Sequence, residues 1–182
     1  LAAVAVNGVD AGLAYIDITT SEFATSQFPI AQLELELTRI SPAEVLVEEG
    51  YDGFAPDGPV FTTLESDAFD LEWDRDILLD HFGVASLQGF GCHRLPLATR
   101  AAGAIVDYLR RNQRTSLSQV TTLHTYTTSI YMILDAQTRS NLELFQASRS
   151  GDANTTLFSV LDQTVTPMGG RLLKRWLGQP LL

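Results

Sequence analysis

Acidic residues near the start of the chain are the side chains whose type and spacing come nearest to a catalytic set. Asp10, Asp17 and Glu22 fall in a stretch whose turns and alternation predict three short strands. Carboxylates on neighbouring strands can hold two magnesium ions, which is how many nucleases cleave phosphodiesters. Asp17 has no second strand-borne carboxylate at a matching depth, however. The pattern therefore favours solvated acidic residues over a two-metal site.

Other signatures of catalysis or cofactor binding are weaker still. His81, His93 and His124 have no neighbouring ligands at the spacing that zinc sites use. The segment GFGCH, which contains Cys92, lacks the serine of a nucleophile elbow. Two glycines lie ahead of Lys174, but the spacing does not fit a phosphate-binding loop. The sequence predicts no catalytic residue, no metal site and no cofactor.

Composition indicates a globular protein with a substantial core. The chain has 182 residues, of which 45% are hydrophobic and 19% charged. Its one cysteine cannot form an intramolecular disulfide, so nothing argues for secretion. No apolar run approaches the roughly 20 residues that span a bilayer. We expect a cytoplasmic protein with no membrane contact.

Charge is distributed unevenly along the chain. Residues 1–93 hold 17 acidic and two basic residues, a net charge of −15. Residues 94–182 hold ten basic and five acidic residues, a net charge of +5, and the total is −10. Phosphate backbones repel the first part, so we expect it to make little or no direct contact with DNA.

The elements that would position these residues follow the order of an α/β domain with a mixed sheet. Segment 30–40 is ambiguous, because its leucines alternate as in a strand and also fit a helical face, but its Leu and Glu content favours a helix. The predicted elements are three strands within 1–28, a helix at 30–40, a strand at 44–49, an extended segment at 60–70, and helices at 73–83 and 96–113.

The texture of the sequence changes after residue 113. A stretch rich in Thr and Ser predicts an extended connection, followed by helices at 138–148, 156–163 and 167–178 and a loop at 151–154. Thr166 and Pro167 start the last helix, and Gly178 helps to end it. Its broad apolar face predicts a core-packing helix. That face is formed by Met168, Leu172, Leu173, Trp176 and Leu177.

Several segments resemble the MutS family of DNA mismatch repair proteins. TVTPMGGRLLKRWLGQPLL is similar to the family signature T-x-T-x-M-G-x-R-L-L-K-x-W-L-x-x-P-L. MILDAQTRSNLELFQ and TLFSVLDQTVTPMG resemble the segments that precede that signature in the family. YIDITTSEF, SPAEVLV and LQGFG match its connector domain in order and spacing. The resemblance covers the entire chain.

The resemblance implies the fold and the domains. Residues 1–113 would form a connector domain with an RNase H-like mixed sheet flanked by helices, without nuclease activity. Residues 114–182 would hold a linking strand and the first helices of the core or lever domain. The family's mismatch-reading Phe-x-Glu and its Walker motifs do not occur in this sequence. We therefore expect a non-enzymatic middle fragment, with ATP and magnesium bound elsewhere in the full-length family protein.

The resemblance also implies partners. The full-length family protein binds mismatched DNA and dimerises, and the connector links the mismatch-binding and ATPase regions, transmits conformational change and contributes to MutL recruitment. Helix 74–82 is the polar, exposed candidate for the MutL contact, although an ordinary solvated helix face has the same pattern. The candidate residues are Asp74, Arg75, Asp76, Asp80 and His81.

Three questions stay open at this point. The closing helix, without further core helices to pack on, could fold back on the connector, pair with a second copy or be poorly ordered. A metal-dependent nuclease on an RNase H-like fold is one alternative function, which Asp17 would serve. Autonomous DNA binding is another. It would use Arg110, Arg111 and Arg114 together with Arg171, Lys174 and Arg175.

Overall fold

The chain forms two compact units in the computed structural model, unit 1 at Leu1–Thr127 and unit 2 at Thr128–Leu182. The structure describes residues 1–18, 20–55, 58–112, 117–130, 132, 134, 136–147, 155–178 and 180–181. Among these residues, no helix is both long enough and apolar enough to cross a membrane.

Unit 1 is built on a mixed six-stranded sheet, which confirms the predicted α/β class. The strands are β1 (Ala2–Val6), β2 (Asp10–Asp17), β3 (Glu22–Pro29), β4 (Glu44–Glu48), β5 (Val60–Leu64) and β6 (His124–Thr125). Their order across the sheet is β5-β4-β1-β2-β3-β6. β1, β2 and β3 form the predicted antiparallel meander. Three parallel pairs extend it: β4 pairs with β1, β5 with β4, and β6 with β3.

Helices cover both faces of this sheet. They are α1 (Leu33–Ile40), α2 (Leu71–Phe82) and α3 (Pro96–Asn112). Side chains alternate across β1, so Ala3 and Ala5 pack in a core with α2 and α3, while Ala2 and Val4 pack in a second core with α1. Small and apolar residues therefore fill β1 without the polar alternation of a half-exposed strand.

The prediction for segment 30–40 is confirmed as mainly helical. A single 3-10 turn at Ile30–Gln32 leads into α1, and Leu33 and Leu37 bury its apolar side. α2 begins two residues before its predicted start, because the Asp70 carboxylate accepts the Trp73 backbone N–H as a helix cap. Gly83, at φ 63°, ends α2 in the left-handed conformation.

Two glycines bring α3 close to its neighbours. A Cβ atom at Gly12 would collide with the backbone of Leu97, so the first turn of α3 lies directly on β2. A Cβ atom at Gly103 would lie 2.6 Å from the Cα atom of Asp74, so α2 and α3 pack with almost no space between them. The absence of a side chain at both positions is a packing requirement.

Asp74 is buried in the contact between α2 and α3. Its side chain is 0% exposed, and neither carboxyl oxygen has a hydrogen-bond partner among the described residues. Burial raises the pKa of Asp74 from 3.8 to about 9; Arg100 opposes the shift, and Asp107 and Asp70 add to it. The carboxyl group is therefore protonated at neutral pH. The expectation that Asp74 belongs to an exposed polar face is wrong.

The described residues of unit 2 form the helices α4 (Ala136–Asn141), α5 (Leu157–Leu161) and α6 (Pro167–Gly178). The helix predicted over 138–148 ends early, because Glu143 adopts a left-handed conformation at φ 46° and Leu144 is buried. Backbone N–H groups of α5 then donate to the carbonyls of Glu143 and Leu144. The loop predicted at 151–154 lies outside the described residues.

α6 occupies the predicted span, but the described residues of its apolar face are not buried. Met168 is 71% exposed, Trp176 63% and Leu172 44%, and Leu173 and Leu177 are half-buried. At the end of the helix, Phe145 lies within 4 Å of a Cβ built at Gly178, and Arg139 Nη2 donates to the Gly178 carbonyl at 3.1 Å. The core-packing role of this helix stays a prediction, since the described part of the chain does not bury its apolar face.

The buried carboxyl group of Asp74 predicts a specific pH dependence of stability. The folded state binds the proton more tightly than the unfolded state, so the contribution of Asp74 to stability is largest below pH 4 and is lost as pH rises towards 9. Relative to an Asp74→Asn variant, the wild-type free energy of unfolding should fall by about 2–4 kcal/mol between pH 5 and pH 8. Urea titrations followed by Trp73 fluorescence, in a Trp176→Phe background, measure this difference.

Asp76, which is exposed on the same helix, provides the control for this experiment. An Asp76→Asn variant should follow the wild-type pH profile. Parallel profiles for wild type and Asp74→Asn would show that Asp74 is not protonated in the folded state.

The close packing at Gly103 predicts that one added methyl group at this position would push α2 and α3 apart. A Gly103→Ala variant should lose about 1–3 kcal/mol of unfolding free energy, because the new Cβ meets the backbone of Asp74. Gly89→Ala is the matched control, since nothing lies within 4 Å of a Cβ there. Equal urea midpoints for the two variants would contradict the packing described above.

Candidate partner-binding surface

The outward side of α2 is the part of unit 1 best suited to contact another protein. Ile77 and Leu78 are buried against the core, so the opposite side of the helix faces solvent. Trp73, Asp76 and Asp80 are exposed at spacings of three and four residues, which places them along one stripe of the helix. We call these three residues, with the exposed Glu72 beside them, the outer face of α2.

The predicted docking residues divide into four groups. Arg75 and Asp76 are exposed as expected. Asp80 is exposed and pairs with Arg110 of α3, with 2.9 Å between Nη2 and Oδ2. Asp74 lies on the inner side of the helix and takes no part in the surface. His81 is half-buried, and its ring contacts Val120.

His81 joins α2 to the segment that follows α3. Its Nε2 atom lies 2.9 Å from the carbonyl oxygen of Val120. A carbonyl only accepts, so Nε2 carries the proton and donates it. Burial lowers the pKa of His81, which keeps the ring neutral near pH 7. His81 thus has a structural role in the described part of the chain.

Trp73 is the surface residue that sequence reasoning missed. Its side chain is 53% exposed although tryptophan is among the most apolar residues. Helical spacing alone does not predict this exposure, because Trp73 lies four residues before the buried Ile77, at the border of the buried stripe. An exposed tryptophan beside two carboxylates is typical of a protein-binding surface.

The charge of the outer face restricts what it can bind. Glu72, Asp76 and Asp80 are acidic, and Arg110 is the basic partner of Asp80. The surrounding residues 1–93 carry a net charge of −15. This surface therefore attracts basic partners and repels nucleic acid.

The three carboxylates considered for a nuclease site do not all come together. Asp10 and Asp17 stand at opposite ends of β2, about 23 Å apart at the usual rise of a strand. Glu22 is opposite Asp17 across the β2–β3 pair, but Glu22 accepts a hydrogen bond from the Tyr15 hydroxyl at 2.8 Å. No group of three His, Cys, Asp or Glu residues in the described ranges could hold a metal ion.

The basic residues considered for DNA binding are partly engaged with acidic neighbours. Arg110 pairs with Asp80, and Arg111 pairs with Asp107 at 2.6 Å. Arg114 lies outside the described residues. The basic residues of α6 are exposed; they are Arg171, Lys174 and Arg175.

Comparison with known families divides the chain in two. Residues 1–121 match the family described as MutS domain II, and residues 137–182 match MutS domain III.

Curated relatives carry the name DNA mismatch repair protein MutS. The protein from Dehalococcoides mccartyi strain CBDB1 is 44% identical over 94% of this chain and 20% of its own length. Those from Synechococcus elongatus and Thermosynechococcus vestitus are 42% and 43% identical over 100% of this chain and 23% of their own length. The chain thus spans about a fifth of the length of these relatives. It belongs to the MutS family of DNA mismatch repair proteins, of which it carries domains II and III.

Proposed function

We propose that this chain acts as a connecting and docking part of a mismatch repair protein. Unit 1 links the mismatch-binding and ATPase regions of the full-length protein and transmits conformational change between them. The outer face of α2 contributes to the recruitment of MutL. The observation that carries the proposal is the exposed Trp73 flanked by carboxylates on a helix whose inner side is fully packed.

The firm attachment of α2 supports its use as a docking surface. Leu78 is 0% exposed, and Asp74 sits directly against Gly103 of α3. Asp70 caps the helix at its start, and His81 holds its end to Val120. Exposed side chains on a fixed helix lose less entropy on binding than side chains on a mobile loop.

The chemistry of the outer face supports a partner with an apolar pocket surrounded by basic residues. Trp73 would fill the pocket and supply most of the affinity. Asp76 and Asp80 would steer the partner and fix its orientation, because exposed charges affect association rates more than they affect affinity. Arg75 lies to one side of this stripe and adds a polar contact.

The proposal keeps the predicted division of the chain. Residues 1–113 act as the connector, and residues 114–182 contribute the linking strand and the first helices of the core or lever domain. No residue of this chain is assigned a catalytic role. ATP and magnesium act in the ATPase region of the full-length protein, and mismatched DNA and dimer contacts involve that whole protein.

Docking on the outer face of α2 predicts measurable binding to the N-terminal ATPase half of the cognate MutL. A calorimetric titration at 50 and 200 mM salt should give a micromolar dissociation constant that rises with salt. Reversing two charges with Asp76→Lys and Asp80→Lys should weaken binding about tenfold or more at the lower salt. Trp73→Ala should weaken it by about tenfold to a hundredfold at both salt concentrations.

Matched controls separate the surface from the net charge. Glu34→Lys with Glu49→Lys makes the same charge change at exposed positions away from α2 and should leave the affinity nearly unchanged. Trp176→Ala removes the tryptophan of unit 2 and should also bind normally. No binding by the wild type would contradict docking by this chain, and equal losses in all charge variants would contradict the outer face as its site.

A further inference from the structure

A polar cluster holds the chain at the point where it leaves unit 1. The hydroxyl of Tyr126, just after β6, donates to Glu36 Oε2 at 3.0 Å. Arg39 Nη2 donates to the same hydroxyl at 3.3 Å and to Glu36 Oε2 at 2.7 Å. Glu36 and Arg39 both belong to α1, and Tyr126 reaches them across 90 residues of sequence. We call these three residues the exit clamp.

Aromatic contacts support the exit clamp. The guanidinium carbon of Arg39 lies 5.4 Å from the ring centre of Tyr126 and 6.0 Å from that of Tyr15. The two tyrosine rings meet edge to face with their centres 6.1 Å apart. Burial raises the pKa of Tyr126, and the nearby charge of Glu36 adds to that rise. Tyr126 therefore keeps its proton and acts as a donor.

Main-chain contacts extend the same attachment along β6. The Tyr126 N–H donates to the carbonyl of Thr25 at 3.0 Å, and Ser26 Oγ donates to the carbonyl of Tyr126 at 2.7 Å. On the other side, Thr125 Oγ1 donates to the Phe90 carbonyl at 2.6 Å. The LQGFG segment therefore has a structural role. It forms the 3-10 turn at Leu87–Phe90, which Gly91 ends, and β6 lies against this turn.

Little apolar burial holds β6 in place. The strand has two residues, His124 is exposed, and Thr125 is half-buried. By contrast, Ala3, Leu13 and Val45 of the central strands are 0% exposed. Segments with few buried apolar contacts open without unfolding the rest of a protein. Leu123, just before β6, is buried in the core at 2% exposed, so the polar and ring contacts of Tyr126 are what holds the chain beyond that anchor.

Opening at Tyr126 leaves no unpaired buried charge behind. Glu36 retains two further hydrogen bonds from Arg39 Nε, both at 3.1 Å, besides the ion pair. Loss of the tyrosine therefore removes its own hydrogen bonds and ring contacts but does not expose Glu36 or Arg39 to the cost of isolation. Such a contact can release and close again repeatedly.

We propose that Tyr126 is a releasable latch that sets the length of free chain between the two units. When it is closed, β6 at His124–Thr125 belongs to the sheet, and residues 124–127 belong to unit 1, which ends at Thr127. When it opens, these four residues become free chain between the two units, while β1–β4 stay folded. An extended chain of four residues adds about 13 Å of reach.

Hydrogen exchange of the whole chain tests the latch at single-amide resolution. The Tyr126→Phe variant keeps the ring and loses the hydroxyl, so the Tyr126 amide should exchange about tenfold faster. Amides of β1 and β2 should exchange at the wild-type rate. Tyr108→Phe is the matched control, because it removes a hydroxyl that donates to Glu44 at 2.9 Å away from β6. This control should leave residues 124–127 unchanged.

A distance measurement tests the change in tether length. Spin labels at Val9 and Val165, which are exposed in unit 1 and unit 2, report the spread of inter-unit distances in a Cys92→Ala background. Tyr126→Ala should broaden the distribution and extend its upper end by up to about 13 Å.

Two outcomes would overturn the latch. Unchanged exchange at residues 124–127 in both Tyr126 variants would show that the exit clamp does not hold β6. Faster exchange throughout β1–β3 would show that Tyr126 stabilises the whole sheet, so that no separate opening exists.

Discussion

The placement of α3 is the constraint on which the rest of unit 1 depends. One side of this helix lies on β2, where Gly12 leaves room for the backbone of Leu97 and the Thr25 hydroxyl donates to the Ala98 carbonyl at 2.9 Å. The other side receives α2 at Gly103. The sheet therefore positions α2 mainly through α3, with a direct contact where Phe82 of α2 stacks on Phe23 of β3 at 6.5 Å between ring centres. A change in either glycine would move the outer face of α2 relative to the strands, since close-packed interiors transmit such displacements.

The same close packing accounts for the unusual state of Asp74. Arg100 is the nearest positive influence on that carboxyl group, but its own hydrogen bonds go to the Phe69 carbonyl and to Glu48. An ionised carboxylate without a partner would be very costly at this depth, whereas a protonated one is tolerable. The sequence places an acid where a small apolar residue would pack equally well, so the α2–α3 contact is weaker at high pH than its geometry alone would suggest.

Local sequence signals predicted the elements well and the long-range contacts poorly. Alternation, caps and turns located β1–β4, α2, α3 and α6, because these signals act within a few residues. Asp74 was misplaced on the surface because its charge favours exposure, although it lies three and four residues before the buried Ile77 and Leu78 and so shares their side of the helix. Trp73 was overlooked because its apolar side chain and its spacing of four residues from Ile77 both favour burial, whereas the fold leaves it exposed. The exit clamp could not be found at all, because Tyr126 and Glu36 are 90 residues apart and nothing local pairs them.

The segment after α3 gives the two surfaces of unit 1 a physical connection. Val120 packs in the core that contains α2 and α3, and its carbonyl accepts the hydrogen bond from His81 at the end of α2. Six residues later, Tyr126 reaches α1 and Tyr15, which pack on the opposite face of the sheet. A partner bound to the outer face of α2 therefore acts at one end of this short segment, and the release of Tyr126 acts at the other end. Because its two anchors lie on opposite faces of the sheet, this segment offers a route by which a displacement of α2 would reach the exit of unit 1 through β6 rather than through β1–β4.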